Sequence, residues 1–98
     1  WELGEQLAQF AMRRFPSDGA FPLLLGEMRL KQERWQDAEP LLARAAELDP
    51  GSAEAYCGLG RAALAKGARA EATRWFEHAL AQDPYHRKAA QGLYDTLN

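Results

Sequence analysis

A single cysteine, Cys57, carries all the thiol chemistry of this sequence, so an intrachain disulfide, a CxxC redox pair and a thiolate zinc cage are excluded. Long apolar runs are missing too. The longest stretch without a charged residue, Gly19 to Gly26, falls far short of the roughly 20 apolar residues a bilayer-spanning helix needs, which excludes membrane insertion. No excess of one charge exists either: 12 Lys and Arg stand against 14 Asp and Glu, for a formal net charge of -2. A phosphate-coating surface depends on many cations releasing counterions, so nucleic acid is an unfavourable partner. Only His78 and His86 supply imidazole, without HExxH-like spacing, and they read as solvated surface side chains rather than metal ligands. What is present is the 47% hydrophobic, 27% charged balance of one globular domain over 98 residues. The chain opens on Trp1 without a methionine and reads as a segment of a longer protein. The compartment stays open, with the cytoplasm slightly favoured over the periplasm.

A period governs the rest. Pro16, Pro50 and Pro84 are each 34 residues apart, and the same offset relates Ala11, Ala45 and Ala79, then Leu25-Gly26 and Leu59-Gly60, Ala38 and Ala72, Leu42 and Phe76, and Asp49 and Asp83. Within each period the apolar steps are of three and four residues, as in Leu41, Leu42, Ala45 and Leu48, so the elements are helices and not strands. Turn chemistry separates them at Pro16 to Gly19, Asp49 to Ser52 and Asp83 to His86, with Asp18 and Ser52 expected as N-caps. Shorter breaks fall at Glu33-Arg34 and Lys66 to Ala68, where Gly67 can end a helix in the left-handed conformation. The spacing predicts helices over 1–15, 20–32, 35–48, 53–65, 69–82 and 86–97. Pro22 suits a first turn. Pro40 lies deeper in its helix and predicts a distorted first turn or a later start.

A helix-turn-helix unit of this length ending in proline resembles the tetratricopeptide repeat (TPR) family. The best unit, 53–86, carries Tyr56, Leu59, Gly60, Ala63, Ala72, Phe76, Ala79 and Pro84 at signature positions. Unit 19–52 matches through Leu25, Gly26, Ala38, Leu42, Ala45 and Pro50, but has Pro22 and Arg29 where large apolar residues are usual. The segment 1–18 resembles a second half-repeat, and 87–98 a first half serving as a capping helix, with Tyr94 where the family prefers glycine. The resemblance implies an all-α superhelix of about six antiparallel helices, two full repeats plus flanking half-repeats in a single domain. It further implies a non-catalytic module that binds a peptide or helix of a partner protein in a concave groove. Two other readings stand beside it: a structural or oligomerisation segment of a larger assembly, and a regulatory domain attached to an enzyme outside these residues.

No nucleophile-base pair or metal cluster is apparent, so no enzyme activity, metal or cofactor is expected. Gly58-Leu59-Gly60-Arg61-Ala62-Ala63 formally matches a dinucleotide fingerprint, but it lies inside a predicted helix with no preceding strand, and packing already explains Gly60. Trp35 and Trp75 fall among helix contacts, and Glu27 with Lys31 forms an ordinary surface pair. By the resemblance, the groove is lined by Ala20, Leu23, Glu27, Leu30 and Lys31, then Glu54, Cys57, Arg61, Leu64 and Ala65, then Lys88, Gln91 and Asp95. Cys57 reads mainly as a small packing residue there. One subfamily, chaperone co-factors that hold heat-shock protein C-termini, uses a Lys, Asn and Arg clamp. Leu23, Glu27, Gly58 and Gly92 depart from that clamp and only Lys88 agrees, so it is not expected. At the other end, Gly4, Ala8 and Ala11, flanked by Trp1, Leu7 and Met12, form a smooth strip expected to stand open and to take a preceding helix or a second copy as a homo-oligomer contact.

Overall fold

The 34-residue offset reappears in three dimensions as recurring caps and turns. The computed structural model describes residues 2–97, and among them it has six helices and no strand. They are α1 (Glu2–Arg14), α2 (Ala20–Lys31), α3 (Trp35–Leu48), α4 (Ala53–Ala65), α5 (Arg69–Gln82) and α6 (Arg87–Leu97). Trp1, which the strip at the N-terminal end included, lies outside the described residues.

Helix starts repeat with changed side chains. Ser52 Oγ accepts the Ala55 amide at 3.3 Å, capping α4. One period later His86 does the same work: its Nδ1 accepts the Ala89 amide at 3.1 Å. That leaves Nε2 to carry the ring proton and donate to Glu54 Oε1 at 2.7 Å. His86 is consequently buried, at 8% exposure, which corrects its reading as a solvated side chain. His78 is exposed and packs at a tilt on Tyr56, with ring centroids 4.2 Å apart and planes 57° apart. Asp49 and Asp83 close identical turns, accepting the amides of Gly51 and Tyr85. Asp18 accepts the Ala20 amide at 3.0 Å, but Gly19 is the residue flanking α2, so the expected cap sits one residue early.

Helix ends repeat as well. Gly67 has φ +85° and Glu33, at the same point of the preceding period, φ +61°. Around both, an amide bonds back three residues and the next bonds back five, so the terminal carbonyls are satisfied. Glycine bears this conformation freely, whereas Glu33 bears it at the expense of about 1 kcal/mol. Helix α3 runs through Pro40, so the later start is not found. The bond Pro40 cannot donate would go to the Gln36 carbonyl; both residues are exposed, and water can take its place.

Two side chains dominate the interior. Leu42 and Phe76, both 0% exposed and one period apart, are the largest fully buried residues. Each is wedged between two glycines of flanking helices. A Cβ on Gly26 or Gly58 would come within 2.8 Å of Leu42, one on Gly60 within 2.7 Å of Phe76, and one on Gly92 closer still. Ala38, Ala72, Ala45 and Ala79, all buried, allow the helices the same close approach. Helices α2 and α3 pair, as do α4 and α5, and α3 against α4 and α5 against α6 join the pairs into an array of 40 × 25 × 18 Å.

This packing makes two stability changes measurable in urea. Gly92→Ala drives a methyl into Phe76 and is expected to lower stability by about 1–3 kcal/mol. Adding Phe76→Leu should recover part of that loss, so the double variant is less destabilised than the sum of the singles. Glu33→Gly relieves the left-handed conformation and is expected to raise stability by up to about 1 kcal/mol; an unchanged unfolding midpoint would contradict the strain at Glu33.

Candidate functional site

Helices α2, α4 and α6 share one face of the array, and a cleft of about 540 Å³ crosses all three. Its walls are Lys31 from α2, Arg61, Leu64 and Ala65 from α4, and Lys88, Gln91 and Asp95 from α6, with Gly92 and Phe76 at its base. Side chains at three- and four-residue steps on one helix point the same way, so Arg61 with Leu64 and Ala65, and Lys88 with Gln91 and Asp95, arise from helical periodicity alone. Gln91 Nε2 donates to Asp95 Oδ1 at 3.0 Å, which holds that wall in place.

The remaining expected groove residues distribute differently. Leu30 lines an adjoining hollow of about 360 Å³ with Glu33 and Trp35, and Arg61 and Ala65 belong to both. Ala20 and Leu23 line a separate end cavity of about 790 Å³, formed with the α1–α2 loop and the C-terminus of α3. Glu54 is exposed and engaged with His86. Cys57 is 2% exposed and part of the interior cluster with Leu42, Leu59 and Phe76, so it offers a ligand almost no surface.

Four charges surround the floor at Cys57. Glu27 feels Glu54, Lys88, Lys31 and Arg61, and its carboxyl is raised above the ordinary value, first by burial and next by the Glu54 carboxylate. The Cys57 thiol is pushed up to about 11, burial outweighing the attraction of Arg61. Lys31, Arg61 and Lys88 thus give the cleft three cations, with Asp95 as its one acid wall and half-buried Glu27 behind. Among the described residues there is no cluster of three or more His, Cys, Asp or Glu able to hold a metal, and no helix is long and apolar enough to cross a membrane.

The N-terminal strip is corrected by the structure. Ala8 is only 3% exposed, and a Cβ on Gly4 would lie 3.3 Å from Met28 Cε, so Gly4 and Ala8 already face α2, with Ala11 and Met12 half-buried. Glu5 fastens the same contact, bound by Arg29 and by Gln32, which donates at 2.7 Å and lowers the Glu5 carboxyl. Of the expected strip Leu7 is open, at 62% exposure, and it shares that face with Leu3 and Phe10, at 70% and 66%. The stripe of small residues, Gly4 and Ala8, marks the side of α1 packed on α2, and Leu7 with Leu3 and Phe10 the side turned away from it.

Cys57 provides a direct check of the floor. With a thiol at about 11, on the order of one molecule in a thousand is thiolate at pH 8. Iodoacetamide labelling at pH 8 is expected to be slow in the native protein and fast in denaturant; rapid native labelling would show the floor to be open.

Comparison with known proteins agrees with this architecture. The tetratricopeptide repeat description matches residues 29–97 with one family model and residues 1–52 with another. The second TPR domain of human RPAP3, solved with the HSP70 peptide SGPTIEEVD, superposes with a TM-score of 0.90 at 21% identity, covering 96% of this chain and 78% of that one. The first TPR of Spaghetti (RPAP3), bound to the HSP90 peptide SRMEEVD, gives 0.90 at 20% identity, covering 95% and 74%. A mutant Thermobaculum terrenum O-GlcNAc transferase gives 0.89 at 30% identity, covering 95% of this chain but 18% of the enzyme. No curated protein matches by sequence. The matched period, the glycine-wedged core and the six-helix superhelix agree in one conclusion: the chain belongs to the tetratricopeptide repeat family.

Proposed function

We propose that the chain is a non-catalytic interaction module whose α2-α4-α6 cleft binds an extended peptide or a helix of another protein, without metal or cofactor. The observation that carries this reading is the cleft itself, to which all three helices contribute and in which three cations stand around an apolar base. A complementary segment places an acidic side chain among Lys31, Arg61 and Lys88 and an apolar one on Leu64. Two structural neighbours hold heat-shock protein peptides, which supports a peptide as the ligand class.

The ligand proposed here is not a free C-terminal carboxylate. Gly58 and Gly92, where the clamp would need Asn and Arg, abut Leu42 and Phe76 so closely that a longer side chain has no space. A second reading, a module serving an enzyme elsewhere in the same polypeptide, draws on the O-GlcNAc transferase, in which the matched part is 18% of the whole.

Peptides selected from a random display library, titrated calorimetrically, test the groove. Arg61→Glu and Leu64→Asp are each expected to weaken binding at least tenfold while helicity is retained, as for central anchors of an interface. Amidating the C-terminus of a selected peptide should change affinity little. Equal affinity for wild type and both variants would move the site out of the cleft.

A further inference from the structure

The cavity between the α1–α2 turn, the C-terminus of α3 and the cap of α4 has the chemistry of a socket for one cationic side chain. We propose that it receives an arginine of a partner protein, the guanidinium held by Asp18 and Asp49. The origin of its volume of about 790 Å³ can be read from the next period. There His86 caps α6 and its ring bonds Glu54 at 2.7 Å, so a buried imidazole and a carboxylate occupy the space beside the turn. One period earlier the same two positions hold Ser52 and Ala20. Ser52 keeps the cap by accepting the Ala55 amide, but neither side chain is long enough to fill what a histidine and a glutamate fill one period on. The space belongs to the period and is left open by residue size.

Charge decides what fits. Asp18 and Asp49 both line the cavity and both are exposed. They flank one stretch of backbone, since a Cβ on Gly19 would lie 3.6 Å from the Asp49 Cβ. Each commits Oδ1 to a turn amide, that of Ala20 or of Gly51, which fixes the carboxylate and leaves Oδ2 for a ligand. Neither has an ion-pair partner among the described residues. Helices α1 and α3 end at this cavity, and helix C-termini favour cations. Of the amides that start α2 and α4, which would favour an anion, Asp18 takes that of Ala20 and Ser52 that of Ala55. Arg14 is the single cation among the lining residues, so two carboxylates leave the cavity net negative.

Shape selects arginine over lysine. Phe15 lies against Phe21, the rings stacked with centroids 6.1 Å apart, and stays 54% exposed at the cavity wall. A planar guanidinium lies flat on such a ring while its edge donates to carboxylates, and its aliphatic stem runs along Leu23 and Leu48. A lysine ammonium offers neither the plane nor the fork.

Titration with N-acetyl-arginine amide, followed through the backbone amide resonances by NMR, tests the proposal, with N-acetyl-citrulline amide as an uncharged probe of the same shape. The arginine probe should shift Gly19, Ala20 and Ser52, and the citrulline probe should bind about fivefold more weakly or less. Asp49→Asn keeps an oxygen to accept the Gly51 amide and should weaken arginine binding by a similar factor. Ala20→Glu combined with Ser52→His rebuilds the pair of the next period, fills the cavity from within and should abolish the shifts. Circular dichroism checks that this double variant folds; if it does not, Asp49→Asn decides alone. Arg61→Glu, in the cleft, should leave the arginine shifts unchanged, so the outcome is independent of what the cleft binds. Equal binding of the two probes, no shift at the cavity, undiminished binding in Asp49→Asn, or shifts that survive in the folded double variant overturns the proposal.

Discussion

Everything in this molecule hangs on how closely paired helices approach one another, and that distance is set where Leu42 and Phe76 sit between glycines. A glycine on each flanking helix removes the Cβ that would otherwise strike the buried side chain, so the backbones draw together and the large residue fills the remaining volume at crystal-like density. Burying one such side chain contributes about 1.5–3 kcal/mol. More important than the magnitude is the geometry: repeating the wedge after one period repeats the crossing of the helices, and the repeated crossing carries α2, α4 and α6 to a common face. The cleft is a by-product of core packing.

That origin explains the division of labour along α4. The helix is buried over most of its length, from Ala53 through Gly60 with Ala62 and Ala63, and only Glu54, Arg61 and Ala65 break into solvent, with Leu64 half-exposed. A position on the groove face must therefore be far enough from the wedge to reach outward. Cys57 sits too near it and joins the core, while Arg61 is long enough to reach the cleft. The same constraint closes off a carboxylate clamp, because positions 58 and 92 are spent on helix approach. In the proposed groove, specificity would be left to long side chains at the rim of the wedge.

The periodic part of the fold was legible in the sequence because packing distance depends on residue type: Gly26 and Gly60, or Leu42 and Phe76, can be aligned by eye, and the helix bounds follow from Gly67, Ser52 and the prolines. The misjudged residues fail for a different physical reason. His86 is polar and looks solvated until its position, one period after Ser52, identifies it as a cap; its second nitrogen then needs Glu54, and burial follows. Pro40 looks like a break, yet it removes a single bond at a solvated carbonyl. The side of α1 that faces α2 could not be read from small residues alone. Gly4 and Ala8 mark a close contact without saying which neighbour makes it, and the answer came from Met28 and the Glu5, Arg29 and Gln32 cluster.

How far the wedge extends along the array is set by the same residue sizes. Each large residue needs glycines on two helices, so α4, with Gly58 against Leu42 and Gly60 against Phe76, serves both wedges at once. At the C-terminal end of this chain the glycine is replaced by Tyr94, and at the N-terminal end the large residue is replaced by Ala8. Either change alone would spoil an internal junction: the tyrosine would collide with a phenylalanine, and the alanine would leave a cavity between glycines. The wedge is therefore confined to Leu42 and Phe76, where glycines stand on both flanking helices, and it is these two internal positions that fix the crossing of the helices.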